Sequence, residues 1–181
     1  MTAAAVGLVL SEAVIIVGGT AEAYWTGRDV YHPTDLDLWI AGPTDRGSAL
    51  AAALEALGFI KDGRHWERPG LNVPVEFPSG PFAGSLERLR EEHPGGVGVQ
   101  VIGLDDLYLD RLRQATATNN QKSVEFQSAL SVATHRFDAI DWQYVSSRIA
   151  KERQSSELIG RAMDLCNRRV RRLVRQRLSE A

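Results

Sequence analysis

Two short segments, read in order, constrain this chain more than anything else in it: Val14-Ile15-Ile16-Val17-Gly18-Gly19, then Thr34-Asp35-Leu36-Asp37-Leu38-Trp39-Ile40. A continuous apolar run stopped by Gly-Gly predicts a buried strand that ends in a turn. The second segment alternates. On a strand, residues two apart share a face, so Leu36, Leu38 and Ile40 point one way while Asp35, Asp37 and Trp39 point the other. Two carboxylates side by side repel each other, and a bound divalent cation relieves the repulsion. Oxygen ligands suit Mg²⁺ or Mn²⁺. Phosphoryl chemistry with paired ions uses carboxylates that bridge metals about 3.5–4 Å apart.

A third acid is available in Val73-Pro74-Val75-Glu76-Phe77. A glutamate among apolar neighbours is costly unless its charge is compensated. Glu76 facing the same metal would meet that need, and it could also take a proton from an incoming hydroxyl. The glycines have their own mechanism. A turn without Cβ atoms lets the backbone approach a phosphate, and N–H groups at a helix start attract anions. Gly18, Gly19 and Thr20 are therefore candidate nucleotide-binding residues, and Arg28 could reach a phosphate or pair with an acid. Tyr24 and Trp25 are candidates to stack on a base. Taken singly, Gly-Gly is a turn and Asp-x-Asp a solvated strand end. The weight comes from their order, with strands on both sides and a third acid downstream.

The remaining pattern organises the chain in two parts. Helices are predicted over 3–12, 20–25 and 48–57, a hairpin over 59–68 with Asp62-Gly63 as its turn, and strands over 72–77 and 98–102. Beyond residue 103 only helical patterns recur, over 105–115, 124–133, 142–150 and 155–178. The expected domains are an α+β core over 1–103 and a helical region over 104–181.

Composition limits what else the chain can be. The single cysteine, Cys166, excludes an internal disulfide and a multi-cysteine metal site, and fits a cytoplasmic setting. No apolar run reaches membrane-spanning length, and no secretory leader is legible at the start. Charge is uneven. Residues 1–147 carry 11 Lys/Arg against 19 Asp/Glu, a balance of −8, whereas residues 148–181 carry 10 against 4, a balance of +6. In the last helix Leu158, Ala162, Cys166, Val170, Val174 and Leu178 step by four as an apolar stripe. Arg161, Arg168, Arg172 and Arg175 fall in a sector opposite it. Such a face is solvated, a rail for RNA phosphates with tRNA the first choice, or a protein-docking or dimerising surface.

Together the glycine turn and the paired acids resemble the nucleotidyltransferase superfamily, whose pattern is an apolar strand, Gly-Gly or Gly-Ser, a spacer, then Asp-x-Asp between apolar residues. The stretch from Gly18 to Arg28 is similar to the same element in tRNA nucleotidyltransferases. In layout the chain resembles small prokaryotic minimal nucleotidyltransferases of the abortive-infection and toxin type. There an Asp-Leu pair opens the first helix after the sheet and a lysine follows, as Asp106-Leu107 and Lys122 do here. Ser123 stands after the lysine where those relatives often have Asp.

The resemblance implies a mixed β-sheet flanked by helices and followed by a helical bundle. It implies an NTP substrate, transfer to an acceptor hydroxyl and release of pyrophosphate. Asp35, Asp37 and Glu76 would be the metal-binding catalytic residues, with Gly18, Gly19, Thr20, Arg28 and Lys122 at the nucleotide. It also implies a toxin role and a cognate antitoxin as partner. A tRNA end, a protein hydroxyl and a small molecule all stay open as acceptors. The alternative is a non-catalytic member that binds a nucleotide or a partner.

Overall fold

The computed structural model describes residues 2–27, 34–41, 47–118 and 120–180. Among them the order is α1 (Thr2–Leu10), β1 (Ala13–Ile16), α2 (Gly18–Thr26), β2 (Leu36–Ala41), α3 (Ser48–Ala56), β3 (Ile60–Asp62), β4 (His65–Glu67), β5 (Val75–Glu76), β6 (Arg90–Glu92), β7 (Val99–Val101), then α4 (Leu104–Thr118), α5 (Val124–Arg136), α6 (Trp142–Ser155) and α7 (Glu157–Glu180). The chain forms two compact units, one up to Gly103 and one from Leu104 that also takes in the end of α2 from Trp25. No helix is long and apolar enough to cross a membrane among the described residues.

The first unit is built on a seven-stranded sheet in the order β3-β4-β5-β2-β1-β7-β6. It is mixed: β5 runs parallel to β2 and β7 parallel to β1, while the other neighbours are antiparallel. Alternation along β2 decides which face is core. Leu38 and Ile40 are buried and Leu36 is partly so, joined by Val14, Val75 and Trp66 from neighbouring strands and by Val6, Leu50 and Leu54 from α1 and α3. The face of β2 that carries Asp35, Asp37 and Trp39 points away from that cluster.

Two strands differ from the sequence-based expectation. The strand predicted over 72–77 shrinks to Val75–Glu76. Pro74 has no N–H to give a ladder, so its carbonyl alone pairs, accepting from the Leu36 N–H at 2.8 Å. The strand β6 has no counterpart in the predicted elements. Arg90-Glu91-Glu92 has no apolar alternation, as befits a charged edge strand that discourages further pairing.

In the second unit α4 packs on α5, α6 and α7. Ser123 caps α5 by accepting from the Phe126 N–H at 3.2 Å, and Asp141 caps α6 by accepting from the Tyr144 N–H at 2.9 Å. The buried Asn167 accepts from the Tyr108 hydroxyl at 2.9 Å, so neither polar group is stranded.

The apolar stripe predicted for α7 needs correction. Four residues advance a helix by more than one turn, so a strict step of four drifts by about 40° each time. The buried face is instead Gly160, Met163, Cys166, Asn167, Val170 and Val174. The two ends of the expected stripe rotate off it: Leu158 is 81% and Leu178 52% exposed. Burial pushes the Cys166 thiol up to about 11.

Gly160 marks where α6 and α7 meet. A Cβ there would lie 2.4 Å from the Arg153 Cα and 2.6 Å from its backbone nitrogen. Backbone cannot step aside as a side-chain tip can. Gly160→Ala is therefore expected to cost about 1–3 kcal/mol by overpacking, despite alanine's better helix propensity. Thermal denaturation of the variant should show a melting temperature lowered by several degrees; an unchanged or raised value would contradict this packing.

Candidate active site

The site begins at the middle of the sheet. β2 lies between β5 and β1, and the parallel register pairs Leu36 with Val75 and Asp37 with Glu76. Val75 is fully buried, so Glu76 turns to the opposite face, the one that carries Asp35 and Asp37. Like charges directly opposite on adjacent strands are unfavourable unless something compensates them.

The glycine turn packs directly on this face. The Val17 N–H donates to the Asp37 carbonyl at 3.0 Å, which ties the end of β1 to β2. Gly18 follows with φ of 63°, and a Cβ on it would fall 1.8 Å from Asp37 Oδ2. The position therefore demands glycine twice over, for its left-handed backbone and for space. From Gly18 the chain enters α2, whose first N–H groups lack helical partners. The Thr20 hydroxyl donates to the Asp35 carbonyl at 3.3 Å, so it braces the acid-bearing strand.

His65, which sequence reasoning passes over, completes the cluster. On β4 it pairs in register with Glu76. Its Nε2 lies 3.4 Å from Glu76 Oε2 and 3.6 Å from Asp35 Oδ2. One ligand atom from each of Asp35, His65 and Glu76 falls within 4.8 Å of the others. A signal for it exists: Trp66 is apolar and goes into the core, so His65 must face outward. Which acid it meets depends on β4–β5 pairing, which is not local in sequence.

Arg64 supplies positive charge at the same place. Its Nε is 3.3 Å from Glu76 Oε2 and donates to His65 Nε2 at 3.2 Å. The donor set of two carboxylates and an imidazole on one face fits a divalent cation. Asp37 lies outside the close triple, with its carboxylate against Gly18.

The surroundings are aromatic on one side. Trp39, two residues past Asp37 on the same face, packs against Phe82 with ring centroids 5.1 Å apart and donates from Nε1 to the Gly80 carbonyl at 3.2 Å. Tyr24 gives its hydroxyl to Glu92 at 2.5 Å, and burial, ahead of that hydrogen bond, raises its pKa. Arg28 lies outside the described residues.

No family model matches the sequence, and no curated protein matches it. Solved structures do. The solution structure of the antibiotic-resistance factor ANT(2'')-Ia superposes with a TM-score of 0.58 at 17% identity, over 84% of this chain and 88% of that one. The crystal structure of ANT(2'')-Ia in complex with adenylyl-2''-tobramycin gives 0.56 at 16% identity, over 84% and 94%. An antigenic nucleotidyltransferase-like protein from Paracoccidioides brasiliensis gives 0.51 at 15%, over 88% and 90%. The fold is that of the nucleotidyltransferases.

The helical unit of this nucleotidyltransferase fold carries the other candidates. Lys122 stands just before α5, its N–H held by Asn120 Oδ1 at 2.9 Å, next to the cap formed by Ser123. Serine in place of aspartate therefore still does a capping job. Asp106 is buried and structural in its contacts, accepting from the Tyr144 hydroxyl at 2.8 Å with Arg148 at 3.8 Å.

On α7, Arg161, Arg168, Arg172 and Arg175 are all exposed. Arg161 pairs with Glu157, and Arg168 with Asp164 at 3.1 Å. Arg168, Arg172 and Arg175 line a shallow surface hollow together with Arg171, which stacks over the Trp142 ring at 4.7 Å.

Proposed function

We propose that this chain transfers a nucleotide from an NTP to an acceptor hydroxyl and releases pyrophosphate, using Mg²⁺ or Mn²⁺ held by Asp35, Asp37 and Glu76. The observation that carries the reading is the register of Asp37 against Glu76 on the face of the sheet away from the core, in a nucleotidyltransferase fold, with the Gly18 turn packed on Asp37. Bound divalent ions would polarise the α-phosphate and neutralise charge developing on it. The chain's own residues do the rest. The start of α2 at Gly18 and Gly19 offers N–H groups to the triphosphate, and Thr20 holds that turn against β2. Glu76 accepts the hydroxyl proton. Arg64 is close enough to the acids to reach a phosphate once a metal takes over their charge. Lys122 and Arg28 belong to the proposal as further phosphate ligands. A non-catalytic member of the fold would bind the NTP and label nothing.

For the acceptor, RNA with tRNA first is supported by the exposed arginines of α7. Phosphate contacts release counterions and make affinity fall with salt. Arg168→Glu combined with Arg172→Glu is expected to weaken RNA binding by about tenfold or more at low salt, alike for all sequences, because phosphates carry no base identity. NTP affinity should stay put, and the melting temperature should fall only slightly, since the lost Arg168–Asp164 pair is exposed. Unchanged RNA affinity in a filter-binding titration would remove the RNA rail.

A second acceptor class is favoured by a neighbour: ANT(2'')-Ia was crystallised with adenylyl-2''-tobramycin, an adenylylated small molecule. Offering labelled NTP with total RNA, and separately with hydroxylated small molecules, separates the two. The toxin setting and an antitoxin partner belong to the same proposal. They require that expression of the chain arrest growth and that Asp35→Asn lift the arrest.

A further inference from the structure

We propose that His65 is a nitrogen ligand of the ion held by Asp35 and Glu76, and that it tilts this site away from Mg²⁺ toward Mn²⁺ and Co²⁺. The inference deepens the nucleotidyl-transfer reading and rests on it.

Three side chains converge on one spot. Asp35 Oδ2 and Glu76 Oε2 are carboxylate oxygens, and both lie within 3.6 Å of His65 Nε2. The Nε2 atom accepts from the Arg64 Nε at 3.2 Å, so its lone pair already faces a cation. Three potential ligand atoms within 4.8 Å of one another call for a positive charge there. Arg64 provides one from the outside, but its side chain is 71% exposed while those of Asp35, Glu76 and His65 are only 18–29% exposed. A surface arginine is a weak occupant of a half-buried acidic spot.

The spacing suits a single ion. Ligands about 2.1 Å from one metal stand roughly 3.0–3.4 Å apart in octahedral and tetrahedral arrangements. The nitrogen–oxygen separations of 3.4 and 3.6 Å need only slight contraction to meet that. The backbone already fixes the approach, because His65 and Glu76 are register partners on adjacent antiparallel strands. Preorganisation of this kind lowers the ordering cost of binding.

Ligand type then sets preference. Mg²⁺ favours oxygen, holds its waters and wants near-ideal octahedral geometry. Imidazole nitrogen favours later first-row ions, with affinity rising from Mn²⁺ to Co²⁺. A carboxylate-only site would leave Mg²⁺ the natural occupant; one imidazole added to it changes the order.

The test uses the full chain, calorimetric titration with Mg²⁺, Mn²⁺ and Co²⁺, and pulsed electron paramagnetic resonance of the Mn²⁺-loaded protein to detect a coordinated nitrogen. The wild type is expected to bind Co²⁺ and Mn²⁺ more tightly than Mg²⁺ and to show histidine nitrogen coupling. His65→Asn should lose the coupling and at least about tenfold in Co²⁺ affinity, since even outer partners of metal ligands carry that much. Its Mg²⁺ affinity should fall less. Glu76→Gln should weaken all three ions.

If the wild type binds the ions without nitrogen coupling, His65 is not a ligand, and that result needs no variant to fold. If His65→Asn keeps Co²⁺ affinity while Glu76→Gln loses it, the carboxylate site stands and this inference falls. If the wild type binds none of the ions, both fall.

Discussion

Asp37→Asn is expected to lose about a thousandfold in nucleotide transfer while the chain stays folded. Asparagine keeps the size of aspartate, removes its charge and turns one acceptor oxygen into an N–H donor. Metal-ion stabilisation of a phosphoryl transition state is worth several kcal/mol, and about 4 kcal/mol is three orders of magnitude in rate. Asp35→Asn should behave alike. The measurement is transfer at saturating Mg²⁺ or Mn²⁺, with far-ultraviolet circular dichroism as the control for folding. A folded Asp37→Asn chain with wild-type turnover would show that the acid is incidental to the chemistry. Glu76→Gln separates binding from turnover: it should retain NTP binding and lose transfer.

The second large effect is expected at Gly18. An alanine Cβ there would sit 1.8 Å from Asp37 Oδ2, 2.6 Å from its Cγ and 2.8 Å from its Cβ. The last distance matters most, because a rotamer change at Asp37 cannot move its own Cβ out of the way. The φ of 63° adds a cost of about 1–2 kcal/mol for any L side chain. Gly18→Ala therefore strikes stability and chemistry together: the melting temperature drops by several degrees, and transfer falls as far as in Asp37→Asn because the carboxylate is displaced. Gly27 is also at positive φ, but a Cβ added there would meet nothing within 4 Å, so Gly27→Ala supplies the strain without the clash. Activity lost equally in both variants would contradict the contact with Asp37.

How much of this is legible in the sequence depends on how local each feature is. The strands β1 and β2, the turn between β1 and α2, and the outward face of Asp35 and Asp37 follow from periodicity within a few residues. The long helices follow for the same reason, though α4, α5 and α6 each run past the predicted end. The features that escape are those set by distant partners. β6 exists because β7 offers it an edge, not because Arg90-Glu91-Glu92 favours extension. His65 meets Glu76 only through the β4–β5 ladder. The α7 stripe fails at its ends because a four-residue step outruns the helical turn.

Under the proposed function a nucleotide, and not a terminal phosphate, moves to the acceptor. The most direct measurement incubates the chain with total RNA and hydroxylated small molecules in parallel reactions containing Mg²⁺ or Mn²⁺. NTPs carry radiolabel on the α-phosphate in one set and on the γ-phosphate in the other. Attack at the α-phosphate releases pyrophosphate, so α-label should enter the acceptor and γ-label should leave as pyrophosphate, with both signals gone in Asp35→Asn. Transfer of γ-label to the acceptor, or label transfer that persists in Asp35→Asn, would contradict the account.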